Sequence, residues 1–233
     1  MRLNKFLAKS GIASRRKCDD LIKKGLININ GITINNLATQ VKDDDYVTYK
    51  NKLVELKFNP IVYLLNKPKG VISTVIDPQN RRTIMDFFDG SERMFPIGRL
   101  DRDTTGVILV TNDGDLAHKL MHPKYKIERK YIVETKLNIN RSKLQQIENG
   151  ILLDNGQKVK AKIKFLEKKF NRYVFEAVLY QGKNREVKNI FRFLESRVES
   201  LHRSSFAGIV LGKLKIGSTK KISVNVIRKI INT

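Results

Sequence analysis

GRLDRDTTGVILVTNDGD, from Gly98 to Asp115, is the stretch on which the reading of this chain turns. It sets one carboxylate, Asp101, between Arg99 and Arg102, and follows it with an apolar run, Val107 to Val110, that reads as a buried strand. An acid in a basic loop at a strand's edge is held ionised, because nearby positive charge favours the charged form. It is then available as a nucleophile or a base. The competing reading is a turn aspartate bonded to its own backbone. Beyond the run, Asn112 to Gly114 read as a turn, with Asp115 placed to cap a helix over LAHKLM.

Outward from this stretch, the 233 residues allow a small domain plus a medium one. Lys and Arg number 46 against 23 Asp and Glu, a formal charge of +23. That excess argues against an ordinary metabolic enzyme and for a polyanionic partner, since basic surface gains free energy by releasing counterions from phosphates. Lys and Asn are abundant throughout, so part of the basicity is general composition. A membrane surface is the competing polyanion, but no run approaches the ~20 apolar residues of a spanning helix. The single cysteine, Cys18, excludes an internal disulfide framework and fits a reducing cytoplasm. MRLNKFLAKSGIASRRKC is basic but lacks the apolar core of a secretory signal. A mitochondrial presequence is the weaker alternative there.

Residues 1–57 read as a helix-helix-hairpin module. Leu3, Phe6 and Leu7 recur at helical spacing and Gly11 suits a left-handed stop. Ser14 caps a second helix with Cys18, Leu21 and Ile22 on its apolar face, ended by Gly25. Ile27 and Ile29, then Ile32 and Ile34, alternate across the turn Asn30-Gly31. Arg15, Arg16 and Lys17 open the second helix, where free N–H groups already favour anions. With Arg2, Lys5 and Lys9 on the preceding helix they form an RNA-contact candidate; an isolated basic triplet is otherwise a solvated face. Lys50 to Pro60 reads as a linker. A second domain, 61–233, opens with IVYLLN and continues with strands expected at Gly70–Val75, Gly106–Thr111, Lys130–Thr135, Lys160–Leu166 and Tyr173–Tyr180. Helices are expected near Leu116–Met121, Arg141–Ile147 and Arg185–Leu194. Strands and helices mix without a βαβ rhythm, which predicts an α+β class.

SRRKCDDLIKKGLININGITI resembles the alpha-L RNA-binding motif found in ribosomal proteins and RNA-modifying enzymes. GRLD, with KPKGVIST (Lys67–Thr74) before it and ERKYIVE and QGKNREVKNIFRFL (Gln181–Leu194) after it, resembles the pseudouridine synthases, in the branch acting on bacterial ribosomal RNA (the RsuA/RluB type). The resemblance implies a mixed, mostly antiparallel sheet with flanking helices. It implies Asp101 as the catalytic residue, Tyr131 as the ring that stacks on the target base, and Lys188 as the cation paired with Asp101. Lys stands there where Arg is also found, keeping the charge without the two-pronged geometry. Val187 is expected to pack against Tyr131. Lys67 and Lys69 are expected to touch the RNA backbone, with Arg99, Arg102, Lys183 and Arg185. Asp103 falls at a position the family leaves variable, and Glu186 replaces its common Gln. The tail, LGKLKIGSTKKISVNVIRKI, follows the family loosely, with Lys220-Lys221 before the final helix.

The implied reaction isomerises a uridine in ribosomal RNA and needs neither cofactor nor metal. The implied partner is ribosomal RNA or an assembling ribosomal subunit, met by a cytoplasmic monomer away from any membrane. The NDGD…LMHPKY wording leans toward the large subunit. A non-catalytic RNA-binding assembly factor fits the charge equally well, but does not require Asp101, Tyr131 and Lys188 together. DNA binding has the charge and no groove-reading motif. His118 and His122 stand four apart on one predicted helix, but zinc needs further ligands, and His202 and Cys18 have no motif spacing.

Overall fold

The structure, a computed structural model, describes every residue except Lys57, Asn155 and Thr233, and the side chain of Asn232. The contacts divide the chain into two compact units: residues 1–60 with 90–93 and 112–114, and the remainder. Lys57, where the first module was expected to end, lies outside the described residues.

The first unit holds α1 (Leu3–Lys9), α2 (Arg15–Lys23) and four short strands, β1 (Ile27–Ile29), β2 (Ile32–Ile34), β3 (Val47–Tyr49) and β4 (Lys52–Leu53). Ser14 Oγ accepts from the Lys17 N–H, which fixes the start of α2. Asn30 and Gly31 both adopt positive φ, as a tight two-residue hairpin requires, and pair Ile29 with Ile32. Leu3, Leu7, Cys18, Ile22, Ile27 and Val47 close the core. The expected linker begins too early. Lys50 and Asn51, at positive φ, turn a second hairpin from β3 into β4, and Val54 is buried in this core.

The second unit is built on a sheet with the order β11-β12-β8-β13-β7-β5-β15. In chain order its elements are β5 (Val62–Lys67), β6 (Phe95–Ile97), β7 (Thr105–Thr111), α3 (Gly114–Met121), β8 (Arg129–Thr135), α4 (Arg141–Asn149), β9 (Ile151–Leu152), β10 (Lys158–Val159), β11 (Lys162–Lys169), β12 (Arg172–Leu179), α5 (Glu186–Phe193), β13 (Val198–Phe206), β14 (Ile209–Val210), β15 (Thr219–Ile222) and α6 (Val224–Asn232). Neighbours along this sheet are antiparallel except β13 and β7, which meet in parallel at His202–Thr105 and Arg203–Gly106. Two antiparallel halves are thus joined at one seam.

The unbroken apolar run of β7 is buried on both faces. Val107 and Leu109 pack with Leu116 and Leu120 of α3 and with Ile227 of α6. Ile108 and Val110 face the other way, onto Val71, Ile84 and Met94. In the other half, Val133 of β8 and Phe175 of β12 meet Val187, Ile190 and Phe191 of α5, with the Phe175 and Phe191 rings edge to face at 5.8 Å. Each such aliphatic side chain contributes about 1.5–3 kcal/mol on burial.

Two expectations need correction, and one strand was not expected. Gly70–Val75 is not a strand; it bridges at a single position, Ile72 to Thr83, and otherwise forms a loop. α3 begins at Gly114, so Asp115 lies inside its first turn, where a carboxylate favours the helix dipole, rather than at the cap. β13 was not foreseen as a strand, although it lies at the seam; its buried positions include Arg203 and Ser205, which interrupt any apolar alternation.

Candidate active site

The loop carrying Asp101 is held from below by the KPKGVIST word. Lys67, at the end of β5, is fully buried, and its Nζ donates to the carbonyls of Thr104 (2.8 Å), Pro68 (3.1 Å), Asp101 (3.1 Å) and Arg102 (3.4 Å). The Gly70 N–H donates to the Arg102 carbonyl at 2.7 Å. Ser73 Oγ donates to the Leu100 carbonyl and accepts the Leu100 N–H, at 2.9 and 3.1 Å. One word therefore clamps residues 100–104 against the end of β5. This overturns the expectation that Lys67 touches RNA: its ammonium is spent on backbone carbonyls, which must be satisfied once buried. Burial pushes Lys67 down to about 8, against the opposing pull of the Asp103 and Asp101 charges.

Gly106 sets the seam. A Cβ there would lie 2.3 Å from the Arg203 carbonyl oxygen, and its φ of +104° already disfavours a side chain. The glycine lets β13 approach β7 closely, directly behind the Asp101 loop.

Lys188, from the first turns of α5, reaches this loop. Its Nζ lies 2.9 Å from Asp101 Oδ2 and 3.0 Å from both oxygens of Asp103. The Lys188 side chain is 11% exposed, against 35% for Asp101 and 61% for Asp103, so the cation is the sheltered member. Asp103, assigned no part by the sequence, shares the cation with Asp101. Burial raises the Asp103 pKa, but the Lys188 hydrogen bond and the charges of Lys188 and Arg185 outweigh it and leave the carboxyl lowered. A cation hydrogen-bonded to both oxygens of Asp103 and ion-paired with Asp101 is positionally fixed.

Asp101 and Lys188 border a cleft of about 170 Å³, lined also by Tyr131, Val187 and Leu201. That space admits a pyrimidine ring. On its floor lie two buried arginines that the sequence reading missed, Arg129 of β8 and Arg203 of β13. Arg129 donates to the carbonyls of Ile127 and Leu120 at 2.7 and 3.3 Å. Gly182 makes room for it: a Cβ there would sit 3.4 Å from Arg129 Nε. Tyr131 stands directly opposite Arg203 in the β8–β13 register, so both side chains share one face of the sheet. Period-2 spacing from Tyr131 does point to Arg129, a signal the sequence contained.

Lys69, Arg99, Arg102, Lys183 and Arg185 are exposed, as are Arg2, Arg15, Arg16 and Lys17 in the first unit; Lys5 and Lys9 are half-buried. Arg99, Lys183 and Arg185 line the cleft. The His118 and His122 rings lie 5.1 Å apart, and among the described residues no group of three or more His, Cys, Asp or Glu is arranged to hold a metal ion.

A family model described as RNA pseudouridylate synthase matches residues 61–193, and an S4 domain model matches 1–47. The chain belongs to the RNA pseudouridine synthases, which are isomerases. It is 37% identical to the ribosomal large subunit pseudouridine synthase B of Bacillus subtilis, covering 98% of this chain and 95% of the relative. An uncharacterised RNA pseudouridine synthase of Rickettsia typhi is 36% identical, covering 99% and 95%. A pseudouridylate synthase crystal structure superimposes with a TM-score of 0.71 at 27% identity, covering 99% of both chains.

Proposed function

We propose that this enzyme converts a specific uridine of ribosomal RNA, in the large subunit, to pseudouridine, with Asp101 as the catalytic group and no cofactor. The observation that carries the reading is the Asp101–Lys188 pair, 2.9 Å apart at the mouth of a cleft that Tyr131 also lines. The full-length likeness to the Bacillus enzyme supports the choice of large-subunit RNA.

The target nucleotide must leave its stack to enter the cleft, as in other base-modifying enzymes. Asp101, held in place by its ion pair with Lys188, acts on the ribose, by adding to the anomeric carbon or by removing a neighbouring sugar proton. The bond from the sugar to uracil N1 breaks, the ring turns, and C5 takes the sugar. Tyr131 holds the ring through the turn. Exposed cations in both units grip phosphates without reading sequence.

Asp101→Asn tests this directly. Single-turnover pseudouridine formation on ribosomal RNA is expected to fall at least a thousand-fold while RNA affinity stays within a few-fold. Wild-type turnover in the variant would refute the role of Asp101. Carbodiimide mapping of ribosomal RNA from cells with and without the gene checks the address; the deletion strain is expected to lose one large-subunit stop. Loss of none would refute the assignment.

A further inference from the structure

The floor of the cleft carries charge that the Asp101–Lys188 pair does not use. Arg203 is 2% exposed; its Nε donates to the Val107 carbonyl at 2.6 Å, and its Nη2 is buried with no hydrogen-bond partner among the described residues. An unmet donor on a buried cation is costly, so it calls for an occupant. Its guanidinium lies over the Phe206 ring at 4.8 Å, and that of Arg129 lies over the same ring at 5.1 Å. Two cations beside one ring repel each other, and in a sheltered site such a pair is relieved by negative charge. Glu186 supplies a second orphan. Its Oε2 accepts the Lys183 N–H at 3.1 Å, while Oε1 is buried without a partner.

Two residues that line one cleft therefore carry, just beneath its surface, an unmet donor and an unmet acceptor. A phosphate would satisfy Arg203 but offers nothing to a carboxylate oxygen. An imide ring offers both, a carbonyl for the arginine and a neighbouring N–H for the glutamate. The opposition of Arg203 and Tyr131 across β8 and β13 sets the donor beside the side chain that holds the ring.

We infer that Arg203 donates to a uracil carbonyl and bears the negative charge that develops on the ring as it separates from the sugar, with Glu186 accepting a ring N–H. This rests on the function proposed above. When the N1–C1′ bond breaks, its electron pair stays with uracil and spreads over N1 and O2. C5 then supplies the pair for the new bond to C1′ and loses its proton, while N1 gains one, so the ring ends neutral. A donor in place before the charge appears lowers the barrier without reorganisation. Because it acts chiefly on the transition state, it changes rate more than affinity.

The test compares wild type, Arg203→Met and Arg203→Lys in single turnover on RNA carrying uridine or 5-fluorouridine at the target. It is read on both substrates as the rate at which the N1–C1′ bond is lost, because a fluorine at C5 cannot leave as a proton. Fluorine stabilises the departing anion, so the ring then needs less help. For Arg203→Met we expect a drop of about a hundred-fold with uridine, affinity within threefold, and a defect at least tenfold smaller with 5-fluorouridine. Arg203→Lys, which keeps a cation and the fold, should show a smaller drop with the same dependence on fluorine. Equal defects on both substrates would reduce Arg203 to a structural part and overturn the inference. Lost affinity at unchanged rate would make it a phosphate contact and also overturn it. A wild-type enzyme that leaves uridine untouched would instead sink the proposed function.

Discussion

In the first unit, Arg15, Arg16 and Lys17 stand exposed on the opening turn of α2, whereas in the second unit Lys67, Arg129 and Arg203 are buried and Lys188 is nearly so. The two sets use the same charge for different ends. Exposed cations are screened by salt, act as a sum, and tolerate replacement. Buried ones are each committed to named atoms, and their removal leaves those atoms unsatisfied. Binding can therefore be spread over a surface, while the chemistry depends on single contacts.

The sharpest way to break this contrast is at Gly106. Gly106→Val places a side chain into the Arg203 backbone at positive φ and is expected to cost more than about 4 kcal/mol, read as loss of the cooperative thermal transition. A variant that melts like wild type would show that the seam is loose.

Lys67→Met comes next. It leaves the carbonyls behind Asp101 without a donor and is expected to cost about 2–3 kcal/mol in urea unfolding, with a matching loss of rate. The burial of Lys67 adds a pH signature. Between about 8, its folded value, and its ordinary 10.5, the unfolded chain binds the proton more fully than the folded one. Wild-type stability therefore rises with pH relative to the variant, by about 2 kcal/mol from pH 8 to pH 10, and is flat below pH 7. A gap that narrows over that range would contradict the buried, strapped ammonium.

Asp103→Asn removes an exposed carboxylate from Lys188. The single-turnover rate is expected to stay within about fivefold, as an exposed ion pair is worth little. A hundred-fold loss would make Asp103 a partner in the chemistry. Smallest per residue is the basic turn of α2. Replacing Arg15, Arg16 and Lys17 together by Ala should weaken RNA binding about uniformly across sequences and reduce its salt slope by about 2. The rate at saturating RNA should not change.

The motifs were legible because they are local. Ser14, Gly25 and Asn30-Gly31 act on neighbouring backbone, and the run Val107–Val110 states its own burial. The floor of the cleft was not. Arg203 interrupts the apolar pattern that would have marked β13, and arginine is ordinarily a surface residue. Lys67 was misread for the same reason: a lysine in a basic chain suggests phosphate, and nothing local shows that four carbonyls will surround it. Asp103 falls at a position the family leaves variable, and its contact with Lys188, 85 residues away, is visible only in the fold.

By itself, the sequence determined the α+β class, the helical and hairpin module and the family, because short-range patterning and a few ordered words carry that information; the pairing of Asp101 with Lys188 was implied only by the family resemblance. The tertiary structure alone decided which cations are buried. Burial depends on how β5, β7, β8 and β13 converge around one glycine, and that convergence is a property of long-range packing, which changes an arginine or lysine from a solvated charge into a committed hydrogen-bond donor.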